Sequence, residues 1–200
     1  MNFFKCKKHL VCFVFVAYYF IFNIIYALIT FSKFSILLNS FVSLIPAALI
    51  LCYLLFEDID FKFKSFIFPL AFGIIAFRNL YAVAVSVIGT PKHILFENGT
   101  KILLALNVVS ALFNILCFCG TLFNFKLSIL LKIGSIGYIL TTIITLIYEF
   151  ISLGGMEYIN SAPEGISPIN IIALAKLLSI ILFYIAIFIY SIDKKHFDLV

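Results

Sequence analysis

Long apolar runs, interrupted by short charged or glycine-containing stretches, dominate the sequence. Runs of about 18 or more apolar residues mark six spans near 10–31, 35–56, 66–88, 102–123, 127–153 and 169–192. Each approaches or exceeds the roughly 20 residues that an α-helix needs to cross a hydrocarbon core about 30 Å thick. Lipid offers backbone amides no solvent partner, so a spanning segment closes its own hydrogen bonds as a helix. The predicted fold is all-α: a single integral membrane domain over residues 1–200, a polytopic six-transmembrane-helix bundle. No internal repeat or low-complexity tract is visible.

Within the spans, polar and small residues recur at helical spacing. The first carries Tyr19, Asn23, Tyr26 and Thr30; the second Ser35, Asn39, Ser43 and Pro46; the fourth Asn107, Ser110, Ala111, Asn114, Cys117 and Thr121. Ser135, Tyr138, Thr142, Thr145 and Glu149 mark the fifth, and Lys176, Ser179, Ala186 and Tyr190 the sixth. Such stripes turn toward the bundle interior, where they act as helix-packing glue or line a cavity.

The third span holds the only arginine, Arg78, beside Asn79, with Ala82 and Ser86 continuing its stripe. Arg78 stands about 18 Å from the inner end of its span at 1.5 Å per residue, near mid-membrane. Asn23 and Asn114 reach a similar depth. A guanidinium stays protonated, and burying it without compensation costs several kcal/mol. Arg78, Asn79, Asn23 and Asn114 are therefore candidate substrate-binding residues for an anionic or polar solute. The competing reading is a structural arginine solvated by amide oxygens and water, or paired with Glu149 through helix tilt. Glu149 and Lys176, at comparable depth on consecutive antiparallel spans, form a candidate intramembrane ion pair.

Composition sharpens this picture. The chain is 64% hydrophobic and 12% charged with mean hydropathy +1.22, against an apolar share of about 45–50% in soluble domains. The formal charge of +5 is spread over loops without a phosphate-tracking patch, which argues against nucleic-acid binding. Lys5, Lys7, Lys8, Lys62, Lys64, Lys126, Lys194 and Lys195 fall on one side, and Lys33, Lys92 and Lys101 on the other. By the positive-inside rule both termini are cytoplasmic, with Lys132 snorkelling to that interface. The expected setting is a bacterial cytoplasmic (plasma) membrane. The first span resembles a signal peptide in its basic lead, but its length and the lack of a small-x-small cleavage site argue that it stays as a helix.

Phe61-Lys62-Phe63-Lys64 on an inner loop reads as an interfacial anchor. Asn98-Gly99-Thr100 in an outer loop forms a glycosylation sequon, a three-residue match that arises readily by chance. Gly154-Gly155 ends the fifth helix, and Ser167-Pro168 supplies N-cap and first residue of the sixth.

Chemistry-bearing motifs are scarce. His9, His93 and His196 sit in loops or tails on different sides, so no haem or zinc site is expected. H-E-x-x-H, G-x-S-x-G, Walker A and paired intramembrane carboxylates are absent from the sequence, which disfavours the usual intramembrane hydrolases and self-contained ATP hydrolysis. Glu57, Asp58 and Asp60 lack the phosphate-binding partners that Mg²⁺ chemistry needs. Cys6, Cys12, Cys52, Cys117 and Cys119 read as free thiols.

No cofactor is implied. The leading functional expectation is a small transporter, or the membrane subunit of a transport complex, with a polar midplane pocket. The alternative is a non-catalytic accessory or immunity-type protein packing against a partner, and third stands an intramembrane lipid-acting enzyme. Expected partners are the lipid bilayer, other membrane subunits and an anionic small solute.

Overall fold

The computed structural model describes residues 7–29, 34–55, 61–89, 91, 98–122, 127–152 and 168–192. Six helices account for all but one of them: α1 (Lys7–Ile29), α2 (Phe34–Leu55), α3 (Phe61–Gly89), α4 (Asn98–Leu122), α5 (Leu127–Ser152) and α6 (Pro168–Ile192). No strand occurs among the described residues. Five helices are long and apolar enough to cross a membrane; the described apolar part of α2 is shorter, Val42–Leu55, within a helix of 22 residues. The protein is an all-helical membrane bundle.

Each helix packs on its neighbour in sequence, and α6 returns to pack on α1, so the six close into a ring. Contacts fix the directions. Near the chain ends, Cys12 of α1 meets Ala186 of α6, and Tyr53 of α2 meets Tyr190 of α6. At the opposite level Tyr26 of α1 meets Lys176 of α6, and Gly99 of α4 lies against Tyr148 of α5. Successive helices therefore alternate in direction. The side bearing the start of α1 and the end of α6 is called proximal, and the other distal.

Two helix starts differ from the expected loops. Phe61 to Lys64 form the opening turn of α3, and Asn98-Gly99-Thr100 the opening turn of α4. Apolar runs report the lipid-embedded part of a helix, whereas the helix itself continues through the interface wherever no glycine or proline stops it. Pro168 opens α6, at the position where a missing N–H costs nothing.

Packing is densest between α4 and α5. A Cβ on Gly134 would stand 2.8 Å from the Phe113 carbonyl oxygen, and one on Gly137 would enter the Phe113 ring. Only glycine permits this approach, the small-residue device that membrane helices use to bring backbones together.

Burial is uneven along the bundle axis. Val16, Ala47, Ile50, Ala71, Phe72, Phe183, Ala186 and Ile187 pack into one core, largely in the proximal half. Distally, every residue of α3 from Leu80 to Gly89 except Val83 is exposed, so this half of α3 stands clear of its neighbours.

Candidate functional site

Three levels stack along the axis. The proximal level is aromatic: the Tyr53 and Tyr190 hydroxyls share a hydrogen bond of 2.6 Å. Phe68 stacks on Tyr190 at 5.2 Å between centroids and meets Tyr53 edge-on at 4.8 Å. Phe72 lies beside Phe68. Tyr190 and Phe72 are buried, so rings contributed by α2, α3 and α6 fill the axis at this level.

The middle level begins about 15 Å further along α3, ten residues beyond Phe68. Here Arg78 donates through Nη1 to Ser43 Oγ of α2 and through Nη2 to Asn79 Oδ1 at 3.4 Å. The Tyr19 hydroxyl of α1 also reaches the guanidinium, and the Tyr138 and Tyr184 hydroxyls lie within its field. Pro46, within α2, carries no N–H, so Val42, beside Ser43, loses its usual i+4 backbone donor. Arg78 is half-buried and keeps some accessible surface.

Asn114 is fully buried. Its Nδ2 donates to the Ser110 carbonyl at 3.1 Å, and its Oδ1 accepts the Tyr184 hydroxyl proton. Tyr184 stacks on Tyr138 with centroids 4.1 Å apart, and the Tyr138 hydroxyl touches both Asn79 and Asn114. Asn23, also buried, spends its donor on the Tyr19 carbonyl at 2.8 Å.

Of the four candidate residues, Asn79 bonds Arg78 directly. Asn114 is linked to the guanidinium's surroundings through Tyr138 and Tyr184, whereas Asn23 bonds the backbone of its own helix one turn earlier. Sequence reasoning placed Ser43, Tyr19 and Tyr138 on interior stripes without assigning them to Arg78, and it missed Tyr184. The signal was available in part, since a tyrosine at membrane depth carries a hydroxyl that must find a partner.

A guanidinium has five N–H donors and a fixed positive charge. The oxygens around Arg78 are a hydroxyl, an amide and phenols, all neutral. The Asp and Glu side chains lie outside the described residues, and the acceptors described around Arg78 are neutral.

The distal level is open space. A cavity of about 220 Å³ lies between α3, α4, α5 and α6, with Asn79 and Tyr138 at its midplane end. Ser86, Asn107, Ser110, Thr142 and Thr145 give it polar walls, and Val83, Leu177 and Ile180 are among its apolar ones. Ser86 and Asn107 are exposed, which places the mouth toward the distal side. The volume holds several waters and falls below the ~300–1,000 Å³ of pockets for drug-sized ligands.

Lys176 is the second intramembrane cation near the axis. Its Nζ stands 3.7 Å from the centroid of the Tyr26 ring, a cation–π contact, and the ammonium feels the positive field of Arg78. Glu149, its expected partner, belongs to α5, but its side chain lies outside the described residues, as do those of Ser35 and Asn39. Thr30, Cys6 and the 153–167 loop also lie outside them.

Cys12, Cys52, Cys117 and Cys119 are free thiols; buried Cys117 sits 4.0 Å from Ser135 Oγ. Among the described residues no three His, Cys, Asp or Glu side chains converge to hold a metal. Comparison with protein-family models, with curated protein sequences and with solved structures found no match.

Proposed function

We propose that this chain is a small solute-transport protein, either a carrier or the membrane subunit of a transport complex, whose solute rests in the cavity above Asn79 and Tyr138. One observation carries the reading: a polar cavity, open on the distal side and closed on the proximal side, ends at Asn79, which also accepts a hydrogen bond from the Arg78 guanidinium. An interior built only for stability would gain by filling that space. A transport site needs such a space beside a cation, since an approaching anion can answer the charge. Arg78, Asn79 and Tyr138 are the proposed solute contacts, and Asn114 holds Tyr184 in place through its hydroxyl.

The lysine distribution supports a proximal side facing the cytoplasm and a cavity open to the outside, with the bacterial plasma membrane as the setting. The aromatic level of Tyr53, Phe68 and Tyr190 then forms the closed inner barrier.

Anion-dependent thermal stability of the purified protein in mild detergent tests this reading. With butyrate or phosphate as probe, against chloride at equal ionic strength, wild type gains Tm, because a ligand that binds only the folded state stabilises it by about 2.7 kcal/mol at a hundred times Kd. Arg78→Ala stays monodisperse and gains nothing. Arg78→Lys, which keeps the charge but not the planar fork, gains less than wild type. Equal gains in wild type and Arg78→Ala contradict the reading and return weight to an accessory protein that packs on a partner.

A further inference from the structure

Helices α3 and α4 touch in the proximal half and part in the distal half. A Cβ on Gly73 of α3 would stand 3.1 Å from the Phe118 ring of α4, so this side of α3 faces α4. Leu80, Ala84 and Val87 follow Gly73 at i+7, i+11 and i+14, the spacing of one helical face, and all three are exposed. On α4 the same face runs from Phe118 back through Ala111 to Asn107. Ala111 is buried, whereas Asn107 is exposed. A slot therefore opens between the two helices beyond Ala111.

The slot leads into the cavity and opens at lipid depth. Asn107 lines the cavity while standing on the slot face, and the lining residues Ala82 and Ser86 of α3 are also exposed. Asn107 lies eight residues inside the apolar span that starts at Gly99, and Leu80 nine residues inside the one that ends at Gly89. At 1.5 Å per residue these depths are about 12–14 Å, against about 15 Å for half of a hydrocarbon core. Acyl chains therefore meet this opening. The slot face of α3 is apolar, while Asn79, Tyr138 and Thr142 make the cavity polar further in. A volume of about 220 Å³, below that of pockets for drug-sized ligands, takes a head group and leaves a chain outside.

We propose that the slot is a lateral portal and that the solute is a single-chain amphiphile, a carboxylate or phosphate head carrying an alkyl tail. The head enters the cavity toward Asn79 and Arg78. The tail passes along Leu80, Ala84 and Val87 and the facing side of α4 into the bilayer. This rests on the solute-binding reading above and names its substrate class. A fully hydrated anion gains nothing from the apolar slot, whereas each tail methylene that leaves water adds affinity.

Isothermal titration of the full-length protein in nanodiscs, with empty nanodiscs as the blank, compares butyrate with octanoate and phosphate with octyl phosphate. The longer member of at least one pair binds about tenfold or more tightly than the shorter, and the pair that gains names the head group. Ala84→Phe, which narrows the slot, brings the longer ligand down to the level of the shorter one. Ala105→Phe makes the same enlargement on the outer side of α4, among exposed Ile102 and Val109, and keeps the preference. Both alanines are exposed, so neither replacement disturbs the packing of the bundle. Equal affinities within both pairs in wild type, or a preference that Ala84→Phe and Ala105→Phe change alike, overturn the portal while the anion site stands. Absence of binding by all four probes overturns both.

Discussion

At the scale of single residues, Arg78 is the centre of the proposed site. Its partners Ser43, Asn79 and Tyr19 supply hydrogen-bond acceptors without negative charge. Lys176 lies within the positive field of Arg78, and like charges in a medium of low dielectric repel, so Lys176 adds to the cost of holding Arg78 in place. Replacing buried ionic groups by apolar side chains of similar volume is often neutral or stabilising, by about 1–4 kcal/mol for ion pairs, and half-buried Arg78 with its neutral acceptors falls under the same rule. Arg78→Met is therefore expected to match or exceed wild type in thermal stability without ligand, and to lose the anion-induced gain. A loss of several kcal/mol in the ligand-free protein identifies Arg78 as a structural strut instead. The depth of Arg78 was legible in the sequence, because counting residues from a span end gives depth directly. Its partners were not, since which stripe faces which depends on helix rotation. The link from Asn114 through Tyr184 to Tyr138 joins three helices that no spacing rule connects.

Among the helices, α4 and α5 form the rigid wall of the cavity. Asn107 and Ser110 come from one, and Tyr138, Thr142 and Thr145 from the other. The Gly134-x-x-Gly137 approach sets their separation, and Phe113 occupies the space that a side chain at 137 would need. Gly137→Leu forces the helices apart or Phe113 out of its seat, and overpacking of this kind costs about 1–3 kcal/mol. Gly89→Leu, at a position with open space around it, serves as the control and changes stability little. Thermal unfolding monitored by circular dichroism in the same detergent separates the two, and equal Tm values would remove the close approach from the account. The helices themselves were legible because apolar runs of this length have one solution in lipid. Their true starts at Phe61 and Asn98 were not, because hydropathy marks the hydrocarbon boundary rather than the last hydrogen-bonded turn. Gly134 and Gly137 lie three apart in the sequence, yet only the facing Phe113 reveals what that spacing accomplishes.

Across the whole molecule, the closed ring of six helices divides into a packed proximal half and an open distal half. Tyr53, Phe68 and Tyr190 close one end of the axis, while the exposed outer part of α3 leaves the other end open. Composition alone established membrane residence. Ring closure between α1 and α6, and the asymmetry between halves, arise from tertiary packing and carry no periodic signature.

The central claim is that the distal half encloses water in contact with the Arg78 level. Reactivity of introduced cysteines toward a charged, membrane-impermeant thiol reagent tests it most directly, because the thiolate is the reacting species and forms in water but not in lipid. In a background with the native thiols replaced, Ser110→Cys and Thr142→Cys in the cavity wall are predicted to react from the distal side and not from the proximal side. Leu140→Cys, 54% exposed on the bundle's outer face, stays inert because its surroundings are hydrocarbon. Added butyrate or phosphate slows the two cavity positions. If Ser110→Cys and Thr142→Cys are as inert as Leu140→Cys from both sides, the cavity is dry and the solute-site account is contradicted.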